Sequence, residues 1–231
     1  MRLDKFLCKS TELDRAEAKT LIAAGAVRVN DDVVTNEATQ VHENNCVRLD
    51  GQKLRARSSR YIMLHKPPAT LCSNVDEFYP SLFHLIDVDK AFDLHIAGRL
   101  DADTTGLVLV TDDGRWSYGI MKPDAQCEKV YRVGLRDVID DNAALELITR
   151  FEHGLQLQGE KALTLPAKLK VINPKEVLLT ITEGRFHQVK RMFAGVGNRV
   201  LSLHRQKIGA VILDVGQGEW RHLTEDEIAS F

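Results

Sequence analysis

What the 231-residue sequence lacks narrows it first. Its apolar runs, such as Gly106-Leu107-Val108-Leu109-Val110, fall far short of the roughly 18 residues a membrane-spanning helix needs, so no membrane partner is expected. The four cysteines, Cys8, Cys46, Cys72 and Cys127, stand far apart, with no Cys-x-x-Cys pair and no Cys/His cluster at metal-ligand spacing. Reduced, packed thiols and no metal site are the expectation. Neither sign of charge dominates: 31 Lys+Arg face 33 Asp+Glu, a net charge of −2. That balance removes the global electrostatic footprint of a nucleic-acid binder and requires any RNA or DNA contact to be local. Neither a dinucleotide fingerprint nor a phosphate-binding P-loop is present. The start, Met1-Arg2-Leu3-Asp4-Lys5, carries an acid at once and no apolar run follows it, so a secretory leader is not expected and a cytoplasmic location is. What remains, 44% hydrophobic and 28% charged residues, is the composition of a globular chain of one or two domains.

Charge is not spread evenly. Residues 1–60 hold 11 basic and 9 acidic residues, while the rest hold 20 and 24. Residues 52–60, ending in Arg55-Ala56-Arg57-Ser58-Ser59-Arg60, are polar and basic and precede the strand-like Tyr61-Ile62-Met63-Leu64. They read as a linker between a domain over 1–58 and one over 61–231. In the first domain Asp14 is placed to cap a helix with apolar positions Ala18, Leu21 and Ile22, which Gly25 ends. Alternation in Val27-Arg28-Val29 and Cys46-Val47-Arg48-Leu49 then predicts a small hairpin sheet, with Asn30-Asp31-Asp32 as a turn. Sixty residues bury little core, which suits an appended binding role. Arg2, Lys5, Lys9, Arg15 and Lys19 form either a solvated face or an RNA-facing one.

Beyond residue 60, strands are expected at 107–111, 129–135, 167–172 and 176–182, and a helix at 140–150. Thr224-Glu225-Asp226-Glu227 opens a last helix as a capping box. Adjacent strands with helices between some of them favour an α+β fold with a mixed sheet. Three stretches set polar residues inside apolar frames. In Gly98-Arg99-Leu100-Asp101-Ala102-Asp103-Thr104-Thr105-Gly106, Asp103-Thr104-Thr105 reads as a self-bonded turn and Asp101 as the distinctive acid. In Glu183-Gly184-Arg185-Phe186-His187-Gln188-Val189-Lys190-Arg191-Met192-Phe193, taken as a helix, Phe186, Val189, Phe193 and Val196 form a buried face. Lys190 then sits at the edge of that face, placed either to meet an acid across a cleft or to snorkel along its own helix. In the strand Glu128-Lys129-Val130-Tyr131-Arg132-Val133, Tyr131 is either a sheet residue or a ring that stacks on a base.

The order of these residues carries resemblances. Residues 2–7, 14–18 and 21–30 resemble the S4-type (alpha-L) RNA-binding module, in which paired helices and the following turn present a basic surface to structured RNA. Asp14 stands there in a position usually held by Ser or Thr. Residues 98–107 look like the nucleophile loop of pseudouridine synthases, and residues 183–192 like their third motif. With Glu128-Lys129-Val130-Tyr131 and Leu203-His204-Arg205-Gln206-Lys207-Ile208-Gly209, the chain resembles the RsuA branch of that superfamily from end to end. The resemblance implies a small S4-type domain followed by a catalytic domain with a mixed, mostly antiparallel sheet and a central cleft. It further implies isomerisation of one uridine in small-subunit (16S) ribosomal RNA, as free RNA or in the assembling small subunit, by a monomer with no cofactor and no metal. By position in the motifs, Asp101 is the nucleophile, Lys190 its cationic partner where other branches carry Arg, and Tyr131 the ring that stacks on the uracil and handles a proton. Arg99 fills the gap left by a flipped nucleotide or binds phosphate, Arg205 clamps phosphate, Leu203 is an apolar floor, and Arg185 completes the substrate-binding set. The appended module's cations Arg2, Lys5, Lys9, Arg15 and Lys19 hold distant RNA. The same motifs are compatible with large-subunit (23S) RNA as substrate or with a non-catalytic assembly factor. A glycosidase using Asp101 and Asp103 lacks the accompanying aromatic cluster, since aromatics are 6% of the chain.

Overall fold

A computed structural model describes the backbone of residues 1–231 and all side chains except those of Pro123 and Asp141. The chain forms two compact units, Met1–Ser58 and Ser59–Phe231.

The first unit opens with helices α1 (Leu3–Ser10) and α2 (Arg15–Ala23). Asp14 accepts the N–H groups of Ala16 and Glu17, and the Glu17 carboxylate accepts the Asp14 N–H in return. This reciprocal box satisfies donors that a helix start otherwise leaves open. Leu3 and Leu7 pack against Ala18 and Ile22, and Val27 and Val47 close the core. Strands β1 (Val27–Val29), β2 (Asp32–Val33), β3 (Val47–Leu49) and β4 (Gln52–Lys53) form an antiparallel sheet in the order β2-β1-β3-β4. Asn30 and Asp31 both take positive φ, 52° and 70°, the geometry that two-residue hairpin turns require. Asp50-Gly51 repeats that turn between β3 and β4, which corrects the expected linker. Gln52 and Lys53 are a paired strand, and the Leu54 N–H donates to Val47 while its side chain packs on the core.

The second unit contains, in chain order, β5 (Tyr61–Lys66), β6 (His95–Ala97), β7 (Thr105–Thr111), α3 (Gly114–Met121), β8 (Lys129–Leu135), α4 (Asp141–His153), β9 (Lys168–Asn173), β10 (Glu176–Ile181), α5 (Gln188–Gly195), β11 (Val200–Ile208), β12 (Val211–Ile212), β13 (Trp220–His222) and α6 (Glu225–Ala229). Seven strands run in the order β13-β5-β7-β11-β8-β10-β9, with β6 added to β7 and β12 to β11. The β7–β11 pairing is parallel and the other named pairings are antiparallel. The fold is thus α+β with a mixed, mostly antiparallel sheet. Leu107, Val108, Leu109 and Val110 are all buried because β7 is covered on both faces: Val108 and Val110 join Ile62, Leu64 and Phe193, while Leu107 and Leu109 join Met63 and Ile208. A continuous apolar run is the signature of such a central strand. Asp112-Asp113-Gly114 does more than end that strand, since Asp113 caps α3 through the N–H groups of Arg115 and Trp116.

Candidate active site

Asp101 lies in the loop between β6 and β7, and that loop is held from beneath by a buried lysine. The Lys66 ammonium donates to the carbonyls of Pro67, Ala102 and Thr104 at 2.9, 3.1 and 2.9 Å. Burial holds its pKa below the ordinary lysine value, and the three carbonyls supply the hydrogen bonds a buried ammonium must have. Leu100 turns into the core and its N–H meets Cys72 Sγ, so the next side chain, Asp101, is left at the cleft.

Opposite stands α5. Its approach is wired by Glu183, whose carboxylate accepts from Arg185, Gln188 and the Leu165 N–H. His187 takes φ 47° and ψ 33°, so the helix begins only at Gln188. This overturns the expected buried face at one position: Phe186 is 75% exposed and stacks on the His187 ring, with centroids 3.8 Å apart. A left-handed residue between them takes Phe186 out of the helical period that buries Val189 and Phe193.

Lys190 projects from the first turn of α5. Its Nζ donates to Asp101 Oδ2 at 2.9 Å and to Asp103 Oδ1 at 2.7 Å. Partial burial works against its charge, but the hydrogen bonds to the two carboxylates hold its pKa above the ordinary lysine value. The Lys190 hydrogen bond in turn holds Asp103 below the usual carboxylate range. His187 Nε2 lies 3.4 Å from the other Asp101 oxygen. Asp103 bonds its own backbone, as the expected turn requires, and its carboxylate accepts from Lys190 as well.

Asp101, His187 and Lys190 border a cleft of about 940 Å³ that Arg99, Tyr131, Leu203 and Arg205 also line. Tyr131 is buried in β8 with its edge at the cleft, and Arg99 is exposed at the rim. Arg205 is 1% exposed, and its three nitrogens are engaged: Nε by the Leu107 carbonyl at 2.8 Å, Nη2 by the Gly98 carbonyl at 2.7 Å, and Nη1 by the Tyr131 hydroxyl at 3.3 Å. It is thus a support for Tyr131 and the Asp101 loop, which corrects its expected use as a phosphate clamp. The physical reason lies in the sheet: Gly106, at φ 110°, lets β7 approach β11 so closely that a Cβ there would sit 2.2 Å from the Arg205 carbonyl oxygen. Arg185 also lines the cleft, and it carries a structural load as well. Its nitrogens bond Glu183 and the carbonyls of Ala162 and Leu163, so it anchors the 160–165 loop.

In the N-terminal unit, Lys5 and Lys19 are exposed, whereas Arg2 and Arg15 both bond the buried Asp4 carboxylate. Lys9 is buried, because the chain leaving β4 crosses the end of α1, where the Arg57 N–H meets the Lys9 carbonyl. Lys9 is therefore withdrawn from the expected RNA-facing set. Among the described residues no group of three or more acidic, histidine or cysteine side chains is placed to hold a metal ion.

A carboxylate, a lysine and a tyrosine of the second unit thus line one cleft. Residues 60–195 match the RNA pseudouridylate synthase family and residues 1–47 match the S4 domain. The chain belongs to the RNA pseudouridylate synthase family, whose reaction is the isomerisation of uridine to pseudouridine. It is 49% identical over 232 residues to ribosomal small subunit pseudouridine synthase A of Vibrio cholerae, covering 100% of this chain and 99% of that one. The protein of the same name from Escherichia coli K12 is 48% identical over 233 residues, again covering 100% and 99%. A crystal structure of a pseudouridylate synthase superposes with a TM-score of 0.71 at 43% identity, covering 100% of this chain and 99% of that chain.

Proposed function

We propose that this chain converts one uridine of small-subunit ribosomal RNA to pseudouridine, with Asp101 as nucleophile and without a cofactor. The observation that carries this reading is the Asp101–Lys190 hydrogen bond of 2.9 Å at a cleft lined by Tyr131. The printed names of the full-length relatives support the small-subunit substrate.

The reaction breaks the N1–C1′ bond, turns the uracil and joins C5 to C1′, while the C5 proton leaves and N1 gains one. An ionised, oriented carboxylate can attack electrophilic carbon of the nucleotide. Lys190 donates to Asp101 Oδ2 at 2.9 Å, so an ammonium orients the attacking carboxylate at the cleft. Tyr131, held by Arg205, stacks on the uracil and handles the proton. Leu203 supplies an apolar floor, and the exposed Arg99 fills the gap that the target base leaves. Because C1′ and C6 are hidden in folded RNA, the base is flipped at a cost of a few kcal/mol. Binding energy from the N-terminal unit, which contacts RNA through cations including Lys5 and Lys19, offsets that cost.

Mapping pseudouridines in ribosomal RNA from cells with and without this chain tests the reading. Loss of one pseudouridine from small-subunit RNA is expected. Loss from large-subunit RNA would overturn the substrate, and an unchanged map would overturn the activity.

A further inference from the structure

The four-stranded sheet of the N-terminal unit carries a row of cations on its outer face. Arg28 of β1 stands directly opposite Arg48 of β3, and Arg48 directly opposite Lys53 of β4. Directly opposed residues of an antiparallel pair project to the same side, and like charges so placed destabilise the sheet. Two consecutive cross-strand neighbours here are cation against cation. Their sequence neighbours Val27, Val47 and Leu49 turn to the core, and the fourth member of the row, Val33, is 51% exposed. The row therefore faces solvent.

None of Arg28, Arg48 and Lys53 forms an ion pair among the described residues. One Nη1 of each arginine bonds a turn carbonyl, Asp31 at 2.7 Å for Arg28 and Gly51 at 3.2 Å for Arg48. Each guanidinium is thereby held over its own hairpin with most of its five donors unused. With strands about 4.8 Å apart, the three cations span about 10 Å in a line. The α1–α2 surface contrasts with this, since Asp4 takes Arg2 and Arg15 there and Lys9 is buried.

We propose that this outer sheet face, through Arg28, Arg48 and Lys53, docks the phosphate backbone of the substrate RNA. The inference rests on the RNA substrate proposed above. It identifies a second surface on the N-terminal unit that fixes position rather than reads sequence.

The test uses the full chain and a small-subunit RNA fragment containing the target uridine, with affinity followed by fluorescence anisotropy between about 50 and 200 mM salt. The triple variant R28Q/R48Q/K53Q is expected to bind at least about 10-fold more weakly at the low-salt end and to flatten the log–log salt slope by about 2. Its melting temperature is expected to be no lower than that of the wild type, because the opposed charges are relieved. R28K/R48K is expected to keep the slope, since charge is what releases counterions. An unchanged slope in the triple variant overturns the sheet surface, and a slope lost in R28K/R48K overturns backbone docking by charge. A wild-type chain that binds no such fragment overturns the RNA reading itself. Should the triple variant melt early, R28Q/K53Q carries the same test, with an expected slope change of about 1.

Discussion

Two carboxylates in this chain each face more than one nitrogen-bearing side chain, and they do opposite work. Asp4 in the N-terminal unit has a fully buried side chain that accepts from the Arg2 and Arg15 guanidinium groups and from the Lys5 N–H. Asp101 in the catalytic unit has a side chain 31% exposed, with Lys190 on one oxygen and His187 3.4 Å from the other. The first is saturated by fixed forks that tie two helices together. The second is held at one oxygen by a point charge and opens on a cleft large enough for a nucleoside. Saturation makes an acid structural, whereas partial satisfaction beside a cavity leaves it able to react.

That contrast is broken or sharpened by four substitutions. Asp101→Asn is expected to abolish tritium release from RNA labelled at uridine C5, by about 10⁴-fold or more, with the melting temperature retained; undiminished release removes Asp101 from the mechanism. Lys190→Met is expected to lower turnover by about 10²–10³-fold while RNA affinity persists, and a large loss of affinity would instead make Lys190 a phosphate contact. Asp4→Asn is expected to destabilise the N-terminal unit by about 2 kcal/mol, read by urea unfolding. The arginines hold the Asp4 pKa below its ordinary value of 3.8. Its contribution is therefore present above about pH 4 and is lost as pH falls through the depressed folded-state value, so the wild type and the Asn variant should converge in stability in acid. Asp103→Asn is expected to have the smallest effect, about 10-fold or less in turnover. Asp103 is one of the groups raising Lys190, so its neutralisation lets the lysine deprotonate at lower pH. The alkaline limb of the rate profile should move down, and an unmoved limb would show that Asp103 does not act through Lys190.

Much of the fold was legible because its signals are local. The cap at Asp14, the capping box at Thr224, the alternation of Lys129 to Leu135 and the apolar run of β7 need only neighbours in the chain. Most of the differences involve contacts distant in sequence or unusual backbone angles, the latter also at the Asp50-Gly51 turn that brings Gln52 and Lys53 into the sheet. The burial expected of Phe186 failed because His187 adopts a left-handed conformation, which period analysis does not register. Arg205 looked free because the partners that consume it lie about a hundred residues away at Gly98 and Leu107. The burial of Lys66 is likewise set by partners far along the chain, the carbonyls of Ala102 and Thr104. The row Arg28, Arg48 and Lys53 is invisible until strand register is known.

Residue order alone carried the resemblance to pseudouridine synthases, because the motifs stand in that order along the chain. It also decided where helices start and strands alternate, because capping and pleat act over a few residues. Only the tertiary structure decided which cations are available. A guanidinium or ammonium in sequence is merely a charge, and whether it faces RNA, braces a tyrosine or lies spent on a buried acid depends on what the sheet register and the burial of its partners leave unsatisfied.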